Sequence, residues 1–430
     1  MADPGELSTA EKYRRYLALG PIGEVADLDV VAAEGSSLIA ADGRRYVDCF
    51  AGVAVMNVGH SQESVLAAAH EQLDRLVHCG SYLYRVPAVA DLAEQLARLT
   101  PGALSKSFFT NSGAEAVETA LRLAKAATGR SEFIALQFGF HGRTNATLAI
   151  TGNATRRGQG TPFVPGAAFA PAPYEYRCRL CQGTCTLACA DAVEDVIRLQ
   201  TSDHVAAMIV EPVLGEGGII VPHPGYFRRL TEILKAHSIL LIADEVQSGF
   251  GRTGRLFAME HFGVEPEIMT LAKAIAGGLP LGATVAEPWI ADALHQGEHF
   301  STFGGNPVSC AAALATLRVL EEERLPARSA TNGAWLVHQL SELGRHPAVG
   351  QVRGLGLMVG IELVRDRRTK EPAPELALSV QRRCRDQGVL VGIGGVYGNV
   401  VRLQPPLVIE RRELDLALEA LDGALAQGDA

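Results

Sequence analysis

"SILLIADEV", residues 238–246, decides the fold. Five apolar residues, Ile239 to Ala243, run without a break and then give way to Asp244 and Glu245. A run this short, apolar throughout, reads as a strand buried on both faces. Two others share the design: "EFIAL" (132–136), leading into "QFGFHGRT", and "VAAMIVEP" (205–212), ending in Glu211. Longer helical patterns alternate with these runs, which predicts an α/β fold with a largely parallel sheet. In open sheets of that kind ligands bind beyond the carboxyl ends of the strands, where these runs turn polar.

Outside this core the pattern changes. Ala41-Asp42-Gly43, in "GSSLIAADGRRYVDCF" (35–50), marks a hairpin between two short strands. An α+β mixture returns after about residue 320, with strands in "VRGLGLMVGIELV" (352–364) and "GNVVRLQPPLVI" (398–409) and a helix near 375–387. The expected division is a large domain over 56–320 and a smaller one assembled from 1–55 and 321–430.

The 430 residues are 47% hydrophobic and carry a net charge of −9. That acidic balance argues against nucleic-acid binding, which calls for a basic face. Neither a signal-peptide pattern at the start nor a membrane-length apolar run is visible, so the expectation is a soluble cytoplasmic protein without a membrane partner. Half of the eight cysteines fall in "CRLCQGTCTLAC": Cys178, Cys181, Cys185 and Cys189. The opening C-x-x-C permits zinc, and helical spacing would align the last three. With no histidine in the cluster, the reading is a cysteine-rich loop in a reduced compartment, and no metal is assigned.

Lys273, one of only six lysines, sits among Leu271, Ala272, Ala274 and Ile275. Such a lysine either snorkels its head to water or is a desolvated amine able to attack carbonyls. Farther upstream, "KSFFTNSGAEAVETALRLAKAATG" (106–129) runs strand, glycine turn, helix, with Ser112 and Gly113 at the helix start. That turn is an ordinary N-cap or an anion site built from free N–H groups and the helix dipole. Asp244 closes a buried strand and needs a cation or donors there. A phosphate site, a buried carboxylate and an apolar lysine together match pyridoxal 5'-phosphate, which has a phosphate, a pyridine nitrogen and an aldehyde.

The chain resembles the class III, fold type I aminotransferases that depend on pyridoxal phosphate. The resemblance rests on "NSGAEAVETALRLAK", "FHGRT", "EPVLGEGG", "ADEVQSGFGRTG", "TLAKAIAGGLPLGA" and "STFGGNPVSCAAALA", all in the family's order. It implies a mainly parallel seven-stranded sheet sandwiched by helices, plus a small α+β domain from both chain ends. Residue by residue, Lys273 matches the Schiff-base lysine and proton carrier, Asp244 the partner of the pyridine nitrogen, and Glu211 a catalytic-site carboxylate at the ring's polar edge. Phe140 and Val246 match the residues that sandwich the ring, with His141 beside them, and Gln247 the donor to its phenolic oxygen. Ser112, Gly113 and Ala114 match the phosphate cradle. Thr302 matches a phosphate ligand given by the neighbouring subunit, which implies a homodimer or a dimer of dimers. Segment 14–34 matches the part that helps to gate the substrate.

Within the family the chain is similar to the 4-aminobutyrate and alanine–glyoxylate types. Arg143 matches the residue that binds the substrate's distal carboxylate, Arg402 the one that grips an α-carboxylate, and Glu216 the switch partner of Arg402. Val53 falls where ornithine-specific members carry tyrosine. These matches imply transfer from an ω-amino acid to 2-oxoglutarate in two ping-pong half-reactions. The competing readings are an alanine–glyoxylate or pyruvate enzyme, and a racemase or decarboxylase using the same cofactor site.

Overall fold

After a helix over Thr9–Tyr16 comes an antiparallel meander, β1 (Val30–Glu34), β2 (Ser37–Ala40) and β3 (Arg45–Asp48). Its second turn is the one expected from sequence, with Gly43 at φ +83° and Asp42 accepting from the Arg44 amide at 3.0 Å. This computed structural model describes residues 7–18, 28–158, 162–181 and 184–427.

The central sheet follows, with β4 (Lys106–Thr110), β5 (Glu132–Leu136), β6 (Ala167–Ala170), β7 (Val205–Val210), β8 (Leu240–Asp244), β9 (Ile268–Leu271) and β10 (Gly282–Ala286). Their order is β4-β10-β9-β8-β7-β5-β6. Only β10 runs against its neighbours, and the β9-β8-β7-β5-β6 block is parallel. The apolar runs alternate between two cores. Phe133, Ala135, Ile209, Leu240 and Ile242 face one, with helix α1 (Gly113–Thr128) packed on it through Val117, Ala120 and Leu121. Ile134, Leu136, Met208, Val210, Leu241 and Ala243 face the other, with α2 (Tyr226–Ala236) packed through Phe227, Leu230 and Leu234. A period of two with both faces covered explains why these strands read as unbroken apolar runs.

After α3 (Pro307–Glu322) come a hairpin of β11 (Val349–Leu355) and β12 (Met358–Asp366), a short edge β13 (Glu371–Pro372), then β14 (Val389–Leu390), β15 (Gly392–Gly394) and β16 (Val400–Leu403). β16 lies against β12, and β14 pairs in parallel with β3, so a strand near the C-terminus completes the N-terminal sheet. A fully buried arginine ties the parts together. Arg252 Nη1 donates to the Leu357 and Pro405 carbonyls and Nη2 to Asn57 Oδ1. Burial lowers its guanidinium to about 9.

The helical alignment of the cysteines does not occur. Of the four clustered cysteines only Cys189 lies in a helix, Ala188–Gln200, while Cys178, Cys181 and Cys185 precede it in irregular chain. Among the described residues no group of three or more His, Cys, Asp or Glu side chains is placed to hold a metal, and no helix is long and apolar enough to cross a membrane. Of the segment expected to gate the substrate, residues 19–27 lie outside the described residues.

Candidate active site

Neighbouring strands deliver the site. β5 ends before Phe138–His141, β7 before Glu211, β8 in Asp244, and β9 two residues before Lys273. Because these four are parallel, their carboxyl ends lie along one edge of the sheet. The N-terminus of α1 joins them across β10, whose Gly282 pairs with Thr110. A cavity of about 470 Å³ opens there, lined by Val55, Asn111, Ser112, Gly113, Ala114, Phe140, His141, Arg143, Glu211, Asp244, Val246, Gln247 and Lys273.

Asp244 is 4% exposed and held from three sides. Oδ1 accepts from the Val246 amide at 3.2 Å and from Thr270 Oγ1 at 3.0 Å, and Oδ2 lies 2.7 Å from His141 Nδ1. The other nitrogen of His141, Nε2, is buried without a partner. Glu211 ties two loops, accepting from the Phe140 amide at 2.9 Å and the Gly215 amide at 2.8 Å. Burial is the main cause that raises its carboxyl to about 7. Lys273 opens a short turn, Lys273–Ala276, at φ +47°, a region that costs a side-chain-bearing residue about 1–3 kcal/mol. Desolvation lowers its amine to about 8, against the pull of Glu216, Glu211 and Asp244.

Ser112 caps α1, its Oγ accepting from the Glu115 amide at 3.2 Å. The side chain therefore does the ordinary capping work, while the amides of Gly113 and Ala114 begin the helix where its dipole is positive. A Cβ on Gly113 would sit 2.8 Å from the Val246 side chain, so only glycine fits beside that residue. Gln247 is locked as well: its Oε1 accepts from Gln404 Nε2 at 2.8 Å, which leaves the Gln247 amide nitrogen to donate elsewhere.

Outside that lining, but close enough to act electrostatically on Lys273, Glu216 binds two arginines. Oε2 accepts from Arg402 Nη1 at 2.9 Å, and Oε1 accepts from Arg156 Nη2. Burial pushes the Glu216 carboxyl up, but the two guanidinium groups together hold it below its ordinary value. Arg402 is 3% exposed, lies 5.1 Å from the Phe50 ring centre, and is lowered chiefly by burial.

Three sequence-derived candidates are exposed. Arg143 is exposed on the cavity wall, 5.6 Å from the Phe140 ring centre. Thr302 is exposed and does not line the cavity of its own chain. Val53 is 37% exposed, and Val55 lines the cavity instead. Sequence reasoning passed over Val55, Asn111, Gln404 and Arg156. Gln404 carried a signal, since it stands two residues after Arg402, at the position that continues the alternation of β16 just past its end at Leu403. A larger cavity of about 680 Å³, lined by Phe138, Tyr174, Arg177, Lys370 and Tyr397, includes none of the candidate residues.

These residues fit pyridoxal phosphate on structural grounds. A helix N-terminus with a glycine only the backbone can occupy suits a phosphate. The buried carboxylate suits a protonated ring nitrogen, and the desolvated amine an aldehyde. Residues 22–425 match the family model "Aminotransferase class-III". An alanine–glyoxylate aminotransferase 2 homologue of Arabidopsis thaliana is 41% identical over 93% of this chain and 83% of its own. An acetylornithine aminotransferase of Methanothermobacter thermautotrophicus is 42% identical over 90% and 91%, and a 5-aminovalerate aminotransferase of Pseudomonas aeruginosa is 39% identical over 95% and 96%. Among solved structures, an amine transaminase from an uncultivated Pseudomonas species, in its pyridoxal-phosphate-bound form, superposes with a TM-score of 0.89 at 36% identity, covering 96% of this chain and 98% of that one. This chain belongs to the class III aminotransferases, fold type I transaminases that work with pyridoxal phosphate.

Proposed function

We propose that the enzyme moves the amino group of an ω-amino acid of the 4-aminobutyrate type to 2-oxoglutarate, in two alternating half-reactions at this site. The observation that carries the reading is the Glu216–Arg402 pair, 2.9 Å apart with both side chains nearly closed to solvent. A donor whose amine sits on a plain methylene brings no carboxylate to Arg402, and an unpaired buried guanidinium would be costly. Glu216 removes that cost. When 2-oxoglutarate or glutamate enters, its α-carboxylate takes Arg402 and Glu216 moves aside. Arg143, exposed on the cavity wall, is suited to the distal carboxylate of either substrate.

Pyridoxal phosphate, when bound, supplies an aldehyde that takes up the amino group and a ring that draws electrons from the substrate carbon. The chain does the rest. The amides of Gly113 and Ala114 would hold the phosphate, and Phe140 and Val246 would flank the ring. Asp244, fixed by Thr270, Val246 and His141, would keep the proton on the ring nitrogen. Gln247, oriented by Gln404, would donate to the phenolic oxygen. Lys273, neutral above about pH 8, would be the amine that holds the aldehyde and carries the substrate proton on Nζ, a role that its lowered affinity for protons favours.

Relatives named for 5-aminovalerate and acetylornithine support the donor class, because both compounds carry the reacting amine on a methylene far from the carboxylate. The Arabidopsis relative supports a second reading, in which alanine is the donor and glyoxylate or pyruvate the acceptor. The same reading makes the enzyme a homodimer in which Thr302 serves the neighbouring site. Thr302 is exposed between exposed Phe300 and Phe303, as expected of a surface a partner covers. All eight cysteines are free thiols, which suits the cytoplasm.

A half-reaction screen tests the donor. 4-Aminobutyrate, 5-aminovalerate or acetylornithine should bleach the cofactor band of the holoenzyme, and 2-oxoglutarate should restore it. Bleaching by L-alanine alone, with recovery by glyoxylate or pyruvate, would replace this reading with the second.

A further inference from the structure

Glu216 divides its two oxygens between two cations, and the division leaves something over. Arg402 and Arg156 bring two positive charges to one carboxylate, a net charge of +1 for the three. Arg402 and Glu216 are nearly enclosed, with side chains 3% and 13% exposed, and Arg156 is 31% exposed. The Nε–H groups of both arginines are buried without a partner. Buried donors are normally satisfied, so an unmet one calls for an explanation.

A guanidinium presents Nε and Nη2 side by side, in a fork that matches the two oxygens of a carboxylate. In Arg156 one arm of that fork, Nη2, already holds Glu216 Oε1. The other arm, Nε, is vacant. A rotation of the Glu216 carboxylate about its existing contact would take Oε2 off Arg402 and bring it to the vacant arm.

We infer that Arg156 is the docking post of the Glu216 switch: when a substrate α-carboxylate takes Arg402, Glu216 stays paired by giving both oxygens to the Nε/Nη2 fork of Arg156. The inference rests on the proposed role of Arg402 as the α-carboxylate site. Arg156 acts through Glu216 and is a positioning residue.

The consequence is selective. With Arg402 alone as its partner, Glu216 would be stranded as a buried carboxylate each time an α-carboxylate arrived. With Arg156 present, the exchange keeps every charge paired, and the incoming carboxylate cancels the surplus +1. Substrates with an α-carboxylate gain from this, whereas an ω-amino donor leaves the resting arrangement undisturbed. Arg156 thus sets how readily the site accepts α-amino and α-keto acids.

Two variants, Arg156→Met and Arg156→Lys, test this through binding and turnover. Glutarate carries a carboxylate at each end and should need both Arg143 and Arg402. Pentanoate has one carboxylate and should leave Glu216 in place. In Arg156→Met holoenzyme, the dissociation constant of glutarate should rise relative to that of pentanoate by roughly 10- to 100-fold. This is toward the lower end for a buried carboxylate losing its cation, because Arg156 is about a third exposed. The ratio of single-turnover efficiencies for L-glutamate over 4-aminobutyrate should fall by a similar factor, carried by the concentration dependence rather than the limiting rate. Arg156→Lys, which restores the charge without the fork, should recover part of the loss. Equal weakening of glutarate and pentanoate would assign Arg156 a merely structural role and overturn the inference, as would no change in either or tighter glutarate binding. If the parent enzyme ignores every ω-amino acid, the donor reading fails, and the glutarate-to-pentanoate ratio still decides the role of Arg156.

Discussion

Replacing Asp244 by asparagine removes one charge and little else. Asparagine has the same shape, and its carbonyl oxygen can still accept from the Val246 amide and Thr270, at 3.2 and 3.0 Å in the parent. Its amide nitrogen then faces His141, whose Nδ1 lies 2.7 Å from Oδ2 in the parent. A tautomer change in His141 accommodates that contact. The fold should survive with a loss of about 1–3 kcal/mol, the cost of a disturbed buried hydrogen bond. The effect on catalysis should be larger. A 4%-exposed carboxylate beside a ring nitrogen forms a buried charge pair, and breaking such a pair costs about 3–5 kcal/mol. At 1.36 kcal/mol per tenfold, turnover should fall by about 10²- to 10⁴-fold. The assay is single-turnover kinetics with the preferred donor, alongside cofactor stoichiometry and thermal unfolding to show a loaded, folded enzyme. A loaded, folded variant that loses less than about fivefold would mean that another group faces the nitrogen.

Three more outcomes follow from the same geometry. Glu216→Ala should slow the ω-amine half-reaction more than the glutamate half-reaction and Arg402→Ala the reverse, by about 2–5 kcal/mol for the affected half; equal losses in both halves, read by rapid mixing, would remove the switch. Burial depresses the Lys273 amine from its usual range to about 8, so the reactive neutral form dominates above that pH. Cofactor attachment to apoenzyme should therefore accelerate about tenfold per unit as pH rises toward 8 and level off above it, whereas a half-rise near the ordinary lysine value would show an amine in water. Arg252→Met should lower stability by about 3–5 kcal/mol in denaturant titration, because three buried acceptors lose their donor; a loss under about 1 kcal/mol would show that Arg252 is not the tie between the parts.

The legible features were those that depend on local pattern. β5, β7 and β8 were visible because both faces of each strand are covered, which leaves an unbroken apolar run whose polar end marks the site. Lys273 and Asp244 stood out for the opposite reason, as charges in apolar settings. Val53 was named from the family resemblance, and local pattern could not have placed it. Ala51, Gly52, Val53 and Ala54 all have positive φ, at 49°, 61°, 66° and 60°, so neither the strand nor the helix period gives the direction of their side chains. The cysteine spacing left two readings open, because an interval of four aligns side chains only inside a helix; this helix begins at Ala188, which leaves Cys178, Cys181 and Cys185 in the loop that the sequence favoured. Arg156 could not be seen at all. It meets Glu216 across 60 residues of chain, and an ion pair between distant loops leaves no periodic trace.

The central claim is that Lys273 is the amine that holds the cofactor, and borohydride tests it most directly. Reduction of the holoenzyme should fix the pyridoxyl group irreversibly, and peptide mapping should find it on Lys273 alone, in "MTLAKAIAGGLP". The Lys273→Ala protein should take up cofactor without being labelled and should not turn over. A label on Lys125, Lys106 or any other of the six lysines would contradict the account.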